Sequence, residues 1–500
     1  MQFIPLLVIL PLGAAFFISL AGKNKNKLCD IFSVIITFFL FALSLFFVFT
    51  AHNYTGALVY KVGGWGMPGG ITLVLDGLSI FMLTIVNFIA FIVNIFSVNY
   101  MNRFSAKDKF YALFMLMVGG MNGVVITGDI FNLFVFYEIA SIASYALVAF
   151  GTEKEELEAS LKYTIIGVVG SLCILLAIAF LYAYTSTLNM ANIASAIAQN
   201  GINSVIAFVS VLFIAGFGIK SAIVPFHAWL PDAHPAAPAP ISAMLSGIFI
   251  KSLGIYTLCR IFYNVFGMNS GISQLFMFLG ALSIIVGGLL ALGQNDIKRL
   301  LGYSSVSQVG YIILGLGIGS PLAITGALLH LFNHSAFKSL LFLNSGAIEY
   351  ATGTRDLEKL GGLRTKMPTT SATSLAASMS ISGIPPFAGF FSKLLIIAAC
   401  IKSGYVGYGI LAIVGAILTI SYILKFQKYT FFGQLKEINK NIREVPIFMK
   451  SSMIALSIIC IFGAVLMMPK IADYFLKPAQ ESLTRGMKYS DLVTQALYEK

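Results

Sequence analysis

The chain has 500 residues, 58% of them hydrophobic and only 10% charged, with a formal net charge of +12. Its mean hydropathy is +0.90. Soluble domains hold about a quarter charged residues, so a soluble globular protein is excluded and an all-α polytopic membrane protein is expected.

A helical span needs roughly 20 apolar residues, so fourteen spans would use roughly 280, about what the hydrophobic fraction supplies. Helices are expected because lipid-embedded backbone must satisfy its own polar groups. The apolar runs are also long rather than short and alternating. The opening "MQFIPLLVILPLGAAFFISLAG" lacks the basic leader of a signal peptide and reads as a retained first span. Later spans begin near residues 31, 74, 110, 130, 160, 203, 239, 272, 300, 322, 371, 404 and 450.

If the N-terminus faces outside, the inner loops carry Lys23, Lys25, Lys27, Arg103, Lys107 and Lys109, then Lys298 and Arg299. Further along they carry Arg355, Lys359, Arg364, Lys366, Lys428, Lys436, Lys440 and Arg443. The outer loops hold little beyond Lys61, Arg260 and Lys402. This asymmetry follows the positive-inside rule and places both termini outside a cell membrane. It also accounts for the net charge without nucleic acid. The tail residues Lys477, Arg485 and Lys488 follow the last span, where orientation is already set. Cys29, Cys173, Cys259, Cys400 and Cys460 share no ligand-like spacing, which argues against a disulfide framework or a metal centre.

Two segments interrupt the spans: "VPFHAWLPDAHPAAPAP" (Val224–Pro240) and "SGIPPFAGFFSK" (Ser382–Lys393). Pro225, Pro385 and Pro386 mark the breaks, since proline removes a helix hydrogen bond and clashes with the preceding turn. Broken backbone at membrane depth requires surrounding protein or a watery cavity. One break in each half of the chain points to a repeat-based transporter; prolines that merely kink packing helices are the plainer alternative.

Ionisable residues fall at the same depth. If Asp129 marks an interface, Glu138 lies nine residues further in, roughly 13 Å along a helix, near the middle of a core about 30 Å thick. Lys251 is about 18 Å beyond Ala239 by the same rise. Lys220 and Lys393 sit beside the breaks. Such residues are expected to face the bundle interior with partners or water. Glu138 and Lys220 form a candidate switchable pair, because separating opposite charges in a dry site favours moving a proton off one and onto the other. Static ion pairs are the alternative for Glu138, Lys220 and Lys251.

In "HLFNHSAFKSLLFLNSG", His330, His334 and Lys338 recur every four residues and form one helical stripe. Histidine titrates near neutrality, which suits a proton relay. A zinc site lacks the glutamate of a zincin motif, and a polar packing stripe is the stronger competitor. "GLGIGS" (Gly315–Ser320) lies within an apolar run and is no dinucleotide loop. No P-loop or paired-cysteine motif is present, so no cofactor, metal or catalytic redox site is expected in this chain.

"KSAIVPFHAWLPDAHPAAPAPISAMLSG", "NDIKRLLGYSSVSQVGY", "HLFNHSAFKSLLFLNSG" and "GIPPFAGFFSK" together resemble the antiporter-like subunits shared by Mrp-type cation/proton antiporters, complex I and membrane-bound energy-converting hydrogenases. The resemblance runs from about residue 75 to 430. It implies fourteen helices: three N-terminal ones (1–109), two inverted five-helix repeats (110–262 and 272–432) with spans seven and twelve broken, and a last helix with its tail (433–500). It further implies that Glu138 and Lys220 pair in the first half-channel, that Lys251 is a linking lysine, and that His330, His334 and Lys338 form a relay. Lys393 resembles the terminal lysine of span twelve; Lys298 is a weaker carry-over. The short tail makes the chain look most like the D-type Mrp subunit or its hydrogenase counterpart.

The expected function is therefore proton translocation along Glu138, Lys220, Lys251, the His330–Lys338 stripe and Lys393. Tyr303, Ser304, Ser307 and Gln308 would hold connecting water. The expected partners are other membrane subunits, protons and the lipid bilayer, with the coupled cation open between sodium, potassium and none. The alternatives are a proton-pumping subunit of a hydrogenase or complex I-like oxidoreductase, a stand-alone solute transporter, and a scaffold whose charges hold helices together.

Overall fold

The computed structural model describes residues 2–23, 25–51 and 56–498. It opens with α1 (Leu6–Ala21) and α2 (Asn26–Ala51), then a hairpin of β1 (Leu58–Lys61) and β2 (Thr72–Leu75) in antiparallel register, Leu58 opposite Leu75. Next come α3 (Gly77–Tyr100), α4 (Lys107–Ile126), α5 (Ile130–Val148), α6 (Lys154–Thr185), α7 (Met190–Asn200), α8 (Ser204–Ser221) and α9 (Leu230–Ala236). One continuous helix follows, built from α10 (Ala239–Met244), π-helical turns Leu245–Ile255, α11 (Tyr256–Cys259) and further π turns Arg260–Val265. The second half contains α12 (Ser270–Leu292), α13 (Ile297–Ile318), α14 (Pro321–Thr352), α15 (Pro368–Ser382), α16 (Ala388–Lys402), α17 (Val406–Thr430) and α18 (Ile447–Phe462). Short helices α19 (Pro469–Ala472), α20 (Leu476–Thr484) and α21 (Tyr489–Tyr498) close the chain. Among the described residues, eleven helices are long and apolar enough to cross a membrane.

Many starts are set by local chemistry. The Asp76 carboxylate accepts from the Ser79 amide at 2.9 Å, that of Asp129 from Asn132 at 2.7 Å, and that of Asp296 from Arg299 at 2.9 Å, satisfying amides that a helix start leaves open. The helices then bury selectively. The helix 239–265 is wholly enclosed, whereas α6 and α17 leave Ile165, Leu172, Ile413 and Ile417 exposed. An apolar exposed face suits lipid or another membrane subunit.

Helix alternation gives the bundle two ends. A basic end gathers Lys23 and Lys25 and the loops 101–106, 149–153, 293–296, 353–367 and 431–446; the other gathers the hairpin, α7 and the C-terminal helices. Two features depart from the sequence reading. A β-hairpin supplements the all-α architecture, and α20 and α21 of the tail pack on α3, α7 and β1 of the same end. Arg260, read as an outer-loop residue, is 2% exposed inside the helix 239–265. Its guanidinium reaches Asp76 at 2.7 and 2.8 Å, and this carboxylate is what makes burial of an arginine tolerable.

Candidate functional site

Helix α8 ends at Ser221, where Ala222 adopts a left-handed backbone (φ 53°) and the chain leaves the helix before Pro225. The Ile219 carbonyl accepts from the Ala222 amide at 3.1 Å and from the Trp229 indole at 2.8 Å. Lys220, in the last turn, is fully buried. Its ammonium donates to Tyr145 Oη at 2.6 Å and Ser141 Oγ at 3.1 Å and lies 5.0 Å from the Tyr137 and Tyr145 ring centres. Glu138 is on the same helix as Ser141 and Tyr145. It is half-buried and accepts from Ser171 Oγ at 2.5 Å. Glu138 and Lys220 are within electrostatic reach but form no direct ion pair among the described residues.

Lys251 sits in the π-helical turns, and its ammonium donates to the Ser246 carbonyl of the same helix. The π geometry shifts that helix's hydrogen bonds to i→i+5, a local departure that recurs at functional sites. The Lys220 and Lys251 helices meet closely. A Cβ on Gly254 would fall 2.7 Å from Ser221 Cα, so only glycine allows this approach. Lys338 donates to the Leu301 carbonyl at 2.9 Å and to Ser304 Oγ. His330 Nδ1 lies 2.9 Å from Ser392 Oγ, and the His330 and His334 rings are 6.2 Å apart. Neither nitrogen of His334 has a hydrogen-bond partner in the protein among the described residues.

The second break lies between α15 and α16, with Pro385 and Pro386 exposed. Lys393, on α16, is 3% exposed. Its ammonium donates to the Ile381 carbonyl at 2.7 Å and lies 4.9 Å from the Tyr311 ring centre. A helix end leaves carbonyls unpaired and carries a partial negative charge, so the end of α15 supplies the acceptor this lysine needs. Lys251, His330, His334, Lys338 and Lys393 all lie within one another's electrostatic reach, directly or through a neighbour in this set.

The supporting residues divide. Ser304 joins the line through Lys338. Ser307 does not, since its hydroxyl donates to the Ile284 carbonyl of α12 at 2.9 Å. Gln308 donates to Thr419 Oγ1 at 3.1 Å, and Tyr303 is half-buried with its ring 6.4 Å from that of His227. Lys298 lies apart at the basic end, paired with Glu349 at 3.1 Å and bonded to the Ala237 carbonyl at 3.0 Å.

Three ion pairs with a buried cation escaped the sequence reading: Arg260–Asp76, Lys107–Asp30 at 2.7 Å, and Lys298–Glu349. Each joins residues distant in sequence, and each acid lies at or near a span boundary, where it resembles a solvated interface residue. The acids Asp76 and Glu349 beside apolar runs were the available signal.

A family model described as "NADH:quinone oxidoreductase/Mrp antiporter, TM" matches residues 127–419, more than half of the chain. The chain belongs to this family. A second model, "NADH-Ubiquinone oxidoreductase (complex I), chain 5 N-terminus", matches residues 66–115 of this antiporter-family chain. The D-type subunit of the Na(+)/H(+) antiporter of Alkalihalophilus pseudofirmus is 35% identical over 86% of this chain and 88% of its own length. A chain of the Mrp complex from Dietzia sp. DQ12-45-1b superposes with a TM-score of 0.91 at 26% identity, covering 98% of this chain and 99% of that one. A chain of the membrane-bound sulfane sulfur reductase, an archaeal respiratory membrane complex, gives 0.89 at 30% identity, covering 99% and 100%. Glu138, Lys220, Lys251, His330, His334, Lys338 and Lys393 all fall inside the stretch matched by the antiporter family model.

Proposed function

We propose that the chain is the proton-translocating, antiporter-like subunit of a multisubunit Na+(K+)/H+ antiporter of the Mrp type, of the D type within that assembly. One observation carries this reading. Lys220, Lys251, Lys338 and Lys393 are all at most 3% exposed, and none has a carboxylate within ion-pair distance among the described residues. Their acceptors are carbonyls, hydroxyls and a phenol. A scaffold charge would be paired, as Arg260, Lys107 and Lys298 are. Unpaired ammonium groups buried at membrane depth are costly and mark ion pathways. The pathway runs from Glu138 and Lys220 through Lys251 and the His330–Lys338 stripe to Lys393.

The helices support a fourteen-span arrangement when α8 with α9, and α15 with α16, are each counted as one interrupted span. In this arrangement residues 110–262 and 272–432 form two inverted repeats, and both termini face outside. Exposed Pro225, Pro385 and Pro386 support neighbouring membrane subunits, because a break needs covering protein or water. Glu138→Ala and Lys220→Ala are expected to abolish proton flux in vesicles while the complex still assembles. Near-normal flux in both would overturn the pathway.

A second reading, a proton-pumping subunit of a respiratory complex, is favoured by the full-length 30% identity to the sulfane sulfur reductase chain. Purification of the native complex separates the two, since iron–sulfur subunits accompany the chain only in the second case.

A further inference from the structure

Toward the end of the molecule opposite the basic loops, α2, α3, α14 and α18 leave a groove of 540 Å³ between them, closed above by α19. Phe41, Phe88, Phe332, Ile459 and Leu466 line it. The hydroxyls in its walls turn back on their own helices: Thr84 donates to the Ile80 carbonyl at 2.8 Å and Ser335 to the Leu331 carbonyl at 2.9 Å. Such walls give water few partners, so the groove suits hydrocarbon. It begins beside Lys470, Ile471 and Tyr474 and reaches Phe41 of α2. Phe41 lies ten residues before the end of that helix. That is about 15 Å of helix, the depth of one leaflet in a hydrocarbon core about 30 Å thick.

At its upper end the groove meets a second recess, of 490 Å³, whose walls share Val48, Tyr474 and Phe475 with it. Asp473, Lys477, Glu481 and Arg485 line this recess. Lys477 pairs with Asp473 at 3.2 Å, whereas Lys470 and Arg485 have no ion pair among the described residues. Lys470, Lys477 and Arg485 against Asp473 and Glu481 leave one positive charge in excess. Charges four residues apart also support a solvated helix without any ligand. That reading leaves unexplained the carbon-lined groove that opens beside them.

A helix from a neighbouring subunit is too thick for the groove. Its 540 Å³ spread over about 15 Å gives a cross-section of about 36 Å², against about 80 Å² for a helix about 10 Å across. We propose that groove and recess together bind one anionic glycerophospholipid, with an acyl chain along Phe41, Phe88 and Phe332 and the phosphodiester held by Lys470 and Arg485. A singly charged headgroup neutralises the excess charge, and basic side chains beside membrane helices attract such headgroups. The groove floor includes Phe332, Ser335 and Ala336, so the chain packs on the helix that carries His334 and Lys338.

The test uses the intact complex in nanodiscs of phosphatidylethanolamine with a trace of phosphatidylglycerol carrying a diazirine midway along one acyl chain. After illumination and digestion, label is expected on peptides containing Phe41, Phe88 or Phe332, above the level on the lipid-facing residues of α6. Ile459→Trp fills the groove and is expected to cut that label about tenfold. Lys470→Gln with Arg485→Gln is expected to erase the advantage of this probe over the matching phosphatidylethanolamine probe. Both positions are exposed, so this double variant stays informative if the tryptophan disturbs folding. Groove label no stronger than that on α6, or unchanged by Ile459→Trp in a stably folded variant, overturns the site. Equal labelling of the parent by both probes overturns the anionic headgroup. An unlabelled groove in which a crosslinker on Leu45→Cys captures another subunit shows that protein fills it, and overturns the proposal as well.

Discussion

The Lys220 ammonium is held 2.6 Å from the Tyr145 phenol oxygen, not against the Glu138 carboxylate. Glu138, Ser141 and Tyr145 stand at i, i+3 and i+7 on α5 and share one helix face. Lys220 bonds the last two. Under the proposed switch, a swing of one to two helical turns along that face would bring it to Glu138, and Tyr145 would anchor the separated state of the pair.

Tyr145→Phe removes this anchor while keeping the ring. Hydrogen bonds to charged groups contribute about 1.5–3 kcal/mol, so Lys220 should settle on Glu138 and proton flux should fall about tenfold. Assembly should be unchanged. Flux equal to the parent, measured by acidification of vesicles, would show that the phenol hydroxyl does not hold the switch.

The Arg260–Asp76 pair predicts stability. Ser79, Tyr256 and Asn264 also surround the guanidinium, and Tyr489 of the tail lies 4.9 Å from it. Removing either charge strands the other, at about 3–5 kcal/mol. Asp76→Leu or Arg260→Met alone should therefore lower the thermal midpoint in detergent sharply, and the double variant should recover most of it. Burial alone would raise the Asp76 pKa. The Arg260 charge and hydrogen bonds from Arg260 and Ser79 outweigh it, and hold the carboxyl below its ordinary value. A lowered folded-state pKa means stability that is fully present above about pH 4, the unfolded value, and lost as pH falls through the folded one. Asp76→Asn should flatten that acid limb. An unchanged limb would show that another carboxylate controls it.

The α12–α13 contact predicts a packing effect. A Cβ on Gly310 would sit 2.6 Å from the Gly280 carbonyl oxygen and 2.7 Å from the Ile284 amide nitrogen. Gly310→Val must push apart the helix carrying Lys298 and Ser304, at about 1–3 kcal/mol. A lower thermal midpoint is expected; parental stability would mean the helices cross less closely.

Much of this protein is legible in residue order because the bilayer imposes a strong local rule. Apolar runs long enough to span, prolines that stop them, and lysines at depth are properties of short segments. Thus the breaks near Pro225 and at Pro385–Pro386 emerge from sequence, as does the basic asymmetry of the loops. The stripe of His330, His334 and Lys338 needs only the helical repeat.

What each charge touches is a different matter, because it depends on which helices pack together. Arg260 and Lys220 are both basic residues next to apolar sequence. One is clamped by Asp76, 184 residues away, and the other rests on neutral oxygens. Residue order decided which groups enter the membrane; the fold alone decided which of them meet an opposite charge there and which rest on neutral oxygens.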